Sequence, residues 1–336
     1  MIFSGNSKIS GVGSYIPGKN ISTEEELEGL RTESRFGIPK NWMSEELGIV
    51  SKRYCDESLE PSDISVEAAA KAIFDAGIEA KDLSAIIYCG ITGDFIEPGT
   101  AHIIANKLGA DNAICKDVHN ACHGFCDGLL FGDLMVRGGA EHVLVVTAEL
   151  TRVRREVYPV LEREGNLERF MYKLGMLSVG DAAGAMVLSK KDNTNEGILS
   201  INTASHGRSA SLCSYDLKMG EATGGICMDK IGKVTFRHCT KLLPETLARL
   251  EWSREDVNHF VMHQVGQKPF EMAKKSCRFK LDQMPKTFDC LGNMTTATLP
   301  INYEIVKKSG NFSLGDKMFM LGTGPGVVLL GFGVTM

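Results

Sequence analysis

Asp117–Gly128 reads DVHNACHGFCDG, and this stretch decides the fold. The run Ile114–Val118 predicts a strand, two polar residues turn the chain, and a helix is expected from about Ala121 to Arg137. Cys122 thus stands where a helix begins. The positive end of the helix dipole is expected there to favour the thiolate over an ordinary cysteine of pKa ~8.5. Gly124 and Gly128 suit close packing of this helix. Taken alone, Cys122 reads equally well as a small buried residue. Cys126 lies one turn further on, with His123 between. No second Cys/His pair sits at ligand spacing, so no metal is expected.

Working outward, apolar runs alternate with helical patterns. Ile9–Ile16 predicts a strand ended by Pro17-Gly18. Asp63–Gly77 predicts a helix capped by Ser62 or Asp63, Ala85–Cys89 a buried strand, and Glu97–Leu108 a helix with Pro98 in its first turn. Strands are expected at His142–Ala148 and Gly184–Leu188. The second half repeats the theme: strands at Ile198–Ala204 and Phe260–His263, helices at Val234–Leu250 and Asn293–Lys308, and strands at Lys317–Leu321 and Gly326–Val334. This alternation predicts α/β layering with a largely parallel central sheet. The two comparable halves suggest a duplicated fold, although no residue-level repeat is visible.

The 336 residues are 43% hydrophobic and 24% charged with a net charge of -5, the profile of a globular protein without a basic surface for nucleic acid. The ten cysteines are scattered, and MIFSGNSKIS lacks a secretory pattern, so a disulfide framework is not expected. No apolar run approaches the ~20 residues needed to span a bilayer. The cytosol is the expected setting.

Two further segments carry candidate chemistry. In Phe260–Gln264, FVMHQ, an apolar strand delivers His263 at its end, where side chains reach a cleft. In Leu291–Pro300, LGNMTTATLP, Asn293 occupies a turn entering a helix. A lone histidine and a cap asparagine are ordinary structural residues. Cysteine, histidine and asparagine together suit acyl transfer, but spacing alone does not settle it.

With these segments in view, the sequence resembles the β-ketoacyl synthase III-like branch of the thiolase superfamily over nearly its whole length. DVHNACHGFCDG, VMHQV and LGNMTTATLP look like the family's nucleophile, histidine and asparagine segments, while GDAAGAMVLS (Gly180–Ser189) and LGTGPG (Leu321–Gly326) match two further landmarks in order. The resemblance implies a thiolase fold: duplicated βαβαβαββ halves, residues 1–190 carrying the cysteine and 191–336 the histidine and asparagine, in a five-layered αβαβα core. Within the branch, TGDFIEPGTA (Thr92–Ala101) is similar to the olefin-pathway head-to-head condensing enzymes, whose glutamate reaches across a dimer interface into the partner's site. Glu97 holds that position.

The resemblance also implies roles. Cys122 would hold an acyl chain, and its backbone N–H with that of Thr323, beside Gly324, would bind the oxyanion. His263 and Asn293 would stabilise an enolate, and Glu97 of a homodimer partner would remove an α-proton if no malonyl donor is used. A first-turn helix glutamate serving the dipole is the plainer reading of Glu97. The substrates would be acyl-coenzyme A or acyl-carrier protein thioesters, with no resident cofactor. Trp42 falls where the initiation enzymes stack an adenine, and Arg152, Arg154, Arg155 and Lys268 would meet phosphates or form a solvated face. Gly266 and Glu46 depart from the initiation enzymes' asparagine and arginine. Met-rich stretches would line an acyl tunnel or fill the core. Acyl transfer to an oxygen or nitrogen acceptor is the rival enzymatic reading, and a non-catalytic partner role the rival of another class.

Overall fold

A computed structural model describes residues 1–150, 156–218, 221–280 and 283–336. Its strands are β1 (Ile2–Ser4), β2 (Ser7–Tyr15), β3 (Lys19–Ser22), β4 (Ser51–Tyr54), β5 (Ala85–Tyr88), β6 (Ile114–Asp117), β7 (His142–Glu149), β8 (Ala182–Lys190), β9 (Gly197–Ser209), β10 (Cys213–Lys218), β11 (Glu221–Ile226), β12 (His259–Met262), β13 (Lys317–Gly324) and β14 (Gly326–Thr335). They form two five-stranded sheets, ordered β2-β8-β7-β5-β6 and β1-β9-β14-β13-β12, with the small pairs β3-β4 and β10-β11 outside them.

Both sheets are mixed, which corrects the expectation of one largely parallel sheet. Parallel pairing is confined to β6-β5-β7 and to β12-β13. The β2-β8-β7 and β9-β14-β13 pairings are antiparallel. The crossover helices visible in sequence connect the parallel strands; the tight turn at Pro325 makes β13-β14 a hairpin. Position by position, β2, β8, β7 and β5 correspond to β9, β14, β13 and β12, with the same pairing directions. This is the duplication that no residue repeat reveals. The second sheet lacks a counterpart to β6 and takes β1, from the chain's start, at its opposite edge.

The helices Gly124–Arg137 and Thr298–Lys308 lie between the sheets. Phe125, Leu129, Leu299 and Tyr303 pack there against Val145 and Met186 of one sheet and Met320 and Phe332 of the other. Pro61–Asp75 and Thr100–Leu108 cover the outer face of the first sheet, while Met228–Leu250 and Gln267–Cys277 cover the second. The result is the αβαβα layering of the thiolase fold.

Four of the helix starts that differ from expectation have a local reason. Pro61 takes the first helical position and Asp63 accepts the Glu60 N–H at 2.8 Å, so the cap is Glu60 rather than Ser62 or Asp63. The next helix begins at Thr100 instead of Glu97, because the Asp117 carboxylate accepts the N–H groups of Thr100 (2.7 Å) and Ala101 (2.9 Å). Ala121 is left-handed at φ 46°, so the central helix starts at Gly124. In the second half, Thr295 at φ 45° likewise delays the regular helix to Thr298.

Candidate active site

Cys122, His263 and Asn293 come together on one cavity, although they arise from three separate segments. Cys122 follows β6, His263 follows β12, and Asn293 precedes the central helix Thr298–Lys308. Cys122 and Asn293 therefore occupy corresponding places, each just before one of the two central helices. A non-glycine residue held at positive φ lies close to each, Ala121 directly before Cys122 and Thr295 two residues past Asn293. Such backbone is disfavoured, most of all for β-branched threonine, and persists only where its surroundings enforce it.

Each side chain is fixed by its neighbours. Asn293 is clamped through its backbone, its N–H donating to Ser178 O (2.8 Å) and its carbonyl accepting from Gly180 N–H (3.1 Å). Its Oδ1 accepts the Thr295 N–H at 2.9 Å, which leaves the amide NH2 for the cavity. His263 donates its backbone N–H to Leu321 O at 3.0 Å. The next residue, Gln264, donates to Pro285 O (2.6 Å) and accepts from Thr287 N–H (3.0 Å), binding the histidine strand to the asparagine segment. The His263 Nδ1 is buried with no hydrogen-bond partner among the described residues.

The electrostatics reverse one expectation. Burial pushes the Cys122 thiol up to about 12, and the nearby Glu149 carboxylate and Cys213 push in the same direction. Desolvation of the anion outweighs the helix end, which lies two residues on at Gly124, so the resting group is the thiol rather than the thiolate. Burial likewise lowers His263 to about 4, partly offset by the Thr295 backbone. His123 falls to about 3 through burial and the neighbouring His263. At neutral pH, then, His263 is an uncharged imidazole able to accept a proton.

Sequence reading missed Glu149. It ends β7, is almost wholly buried, and accepts hydrogen bonds from Thr296 Oγ1 and from the Ile91 N–H (3.3 Å). Burial raises it to about 7. The available signal was a carboxylate directly after the apolar run of β7, at the strand end where sites form.

The other candidates fall as follows. Thr323 and Gly324 line the cavity beside Cys122. A Cβ on Gly324 would stand 2.8 Å from the His123 Cβ, so glycine permits the approach of that loop. Glu97 is not among the cavity-lining residues; it is exposed in a protruding loop with Phe95 and Ile96. Trp42 is half-buried against the cluster formed by Leu27, Met43 and Phe170, away from the cavity. Lys268 is exposed and pairs with Glu46 at 2.6 Å. Arg152, Arg154 and Arg155 lie outside the described residues. Cys126 is buried against Gly322, where a Cβ would come within 2.0 Å of its sulfur. Gly266 has φ 145°, and a Cβ there would meet Leu47 O at 2.8 Å, a physical reason for this departure from the initiation enzymes. Among the described residues no group of His, Cys, Asp and Glu is arranged to hold a metal, and no helix is long and apolar enough to cross a membrane.

Residues 247–335 match the family "3-Oxoacyl-[acyl-carrier-protein (ACP)] synthase III C terminal". The chain is 28% identical over 323 residues to the β-ketoacyl-[acyl-carrier-protein] synthase III of Bacillus pumilus, covering 96% of each protein. In structure it is similar to a His→Asn variant of Xanthomonas campestris OleA, with 26% identity, a TM-score of 0.93 and 100% of both chains covered. It also resembles a Cys→Ser variant of that protein with bound lauric acid and lauroyl-CoA, at 26% identity and a TM-score of 0.90, covering 98% of this chain and 99% of that one. The fold and these matches define a condensing enzyme of the thiolase superfamily. Within that superfamily, residues 247–335 carry the β-ketoacyl synthase III C-terminal match, and the chain as a whole is similar to both FabH-like and OleA-like proteins.

Proposed function

We propose that this protein joins two acyl thioesters, carried by coenzyme A or a carrier protein, in a Claisen condensation without loss of carbon dioxide, through an acyl chain held on Cys122. The observation that carries the reading is the single cavity with Cys122, His263 and Asn293 on its wall and apolar walls from the helices Met228–Leu250 and Gln267–Cys277.

Neutral His263 accepts the Cys122 proton as the thiol sulfur attacks the first thioester, so that no free thiolate has to form beforehand. The carbonyl oxygen, negative in the tetrahedral intermediate, is held by the backbone N–H groups of Cys122 and Thr323, with Gly324 allowing their approach. Expulsion of the carrier thiolate, which takes up the proton, leaves acyl-Cys122. For the second thioester, His263 and the Asn293 NH2 donate to the carbonyl oxygen as the enolate forms. Its carbon attacks acyl-Cys122, the Cys122–acyl bond breaks, and a β-keto thioester leaves.

The enolate requires a base. Glu97 sits in a protruding apolar loop outside its own cavity, so it serves if a homodimer delivers it to the partner's cavity. We read residues 1–190 and 191–336 as the two halves of this machine, with Trp42, Lys268 and Arg152 as carrier-facing candidates. No resident cofactor enters the chemistry.

The names of the curated relatives favour a second reading, in which a malonyl thioester loses carbon dioxide and no base is needed. Mass spectrometry of protein and products separates the two, after incubation with acyl-coenzyme A alone or together with malonyl-coenzyme A. A β-keto product from acyl-coenzyme A alone is expected. A product formed only with malonyl-coenzyme A overturns the non-decarboxylative step, and acyl-Cys122 with no condensation in either mixture redirects the reading to an oxygen or nitrogen acceptor.

A further inference from the structure

Glycine inside a regular helix is disfavoured relative to alanine, and it persists where a neighbour approaches too closely for a side chain. The central helix obeys this. A Cβ at Gly128 would stand 2.3 Å from the Cys89 sulfur, and one at Gly132 would stand 2.8 Å from Leu188. Gly232 does not. It lies within the Met228–Leu250 helix, yet a Cβ there would meet no described atom within 4 Å. It lines the cavity instead. Close packing does not explain this glycine.

The walls around it are built in the same way. Cys239, two turns along the same helix, and Ala273 and Cys277 on the facing helix Gln267–Cys277 also line the cavity. Beside the larger Ile231 and Phe236 of the first helix, these small side chains leave space that bulkier ones would fill. That space is continuous with the reacting end, where His263 presents a buried Nδ1 without a hydrogen-bond partner among the described residues. We propose that Gly232 is a specificity-determining residue, whose missing side chain keeps the cavity between these two helices open for the distal part of a long linear acyl chain. This rests on the acyl-transfer reading and specifies its substrate.

The test is acylation of Cys122, followed by intact-protein mass spectrometry, with acetyl-, hexanoyl-, dodecanoyl- and hexadecanoyl-coenzyme A. Wild type, Gly232→Ala and Gly232→Leu are compared, and their melting temperatures show that each is folded. Because the Cβ position is open and alanine is the better helix former, both variants are expected to fold. Loading by the two longest chains should fall about tenfold or more in Gly232→Leu and less in Gly232→Ala, while acetyl and hexanoyl loading is retained. A folded Gly232→Leu protein with the wild-type chain-length profile overturns the assignment. Wild type that loads no acyl chain at all overturns the acyl-transfer reading itself, so the two failures are distinguishable.

Discussion

The Asn293 side-chain oxygen accepts the backbone N–H of Thr295 at 2.9 Å, and that one bond decides which end of the amide faces the cavity. Thr295 holds φ 45° to make the bond, so the turn spends backbone strain on orienting one donor. Asn293→Asp should keep the bond to Thr295 and lose the donor. The expected outcome is a fall in β-keto product of about 10²-fold, with Cys122 still acylated by the first thioester. Equal loss of acylation and condensation would show instead that the substitution collapses the turn.

A thiol held at about 12 should titrate in its reactivity toward iodoacetamide. An exposed cysteine levels off above pH ~9, whereas labelling of Cys122 should go on rising about tenfold per pH unit beyond it. Burial is the larger cause and the Glu149 carboxylate the second. Glu149→Gln removes the charge and should therefore speed labelling at a fixed pH. Slower labelling in that variant would contradict the electrostatic account. Peptide mapping of the label distinguishes Cys122 from the other cysteines.

Much of the core was legible because burial writes itself as runs of apolar residues, as in Ala85–Tyr88 and His142–Glu149. The site was legible as three separate segments, and their resemblance to a family joined them. Sheet pairing was not legible: β1 joins the sheet built from the second half through contacts some two hundred residues distant. The start of the helix at Thr100 was hidden for the same reason, since its capping carboxylate, Asp117, belongs to the next strand. Glu149 escaped notice because a glutamate is normally a surface residue, and donors that include Thr296 and Ile91 make its burial tolerable.

Acid should destabilise the fold through its buried histidines. His263 at about 4 and His123 at about 3 lie below the ordinary 6.5, because burial disfavours their charged forms. Between about 6.5 and about 4 the unfolded chain binds more protons than the folded one. Their contribution is thus complete above 6.5 and lost as pH falls through this window. Glu149, raised to about 7 from 4.5, acts oppositely, with stability present below about 4.5 and lost as pH rises toward 7. Two histidines outweigh one carboxyl, so these three groups together should lower the melting temperature from pH 6.5 to pH 4. His263→Gln should show a shallower fall than wild type in thermal melts at stepped pH. An unchanged slope would remove His263 from the account.

Lys52 is wholly buried, its Nζ 2.6 Å from Glu26 Oε2, and it donates a hydrogen bond to Leu177 O. Its stem also fills the space over Gly292, where a Cβ would come within 2.8 Å of the Lys52 Cγ. Lys52 thus supports both sides of the Asn293 clamp: the turn at Gly292 and the 3-10 turn Gly175–Ser178. Lys52→Met should destabilise the protein by about 3–5 kcal/mol, since it strands a carboxylate in the interior. Glu26→Leu combined with Lys52→Met removes both charges and should recover most of that loss in denaturant unfolding, because the desolvation of the pair largely offsets its attraction. If the double variant is as unstable as the single one, packing of the lysine stem against Gly292, rather than the stranded charge, carries the effect. Condensation measured on the double variant then tests whether the clamp on Asn293 needs the charges or only the volume.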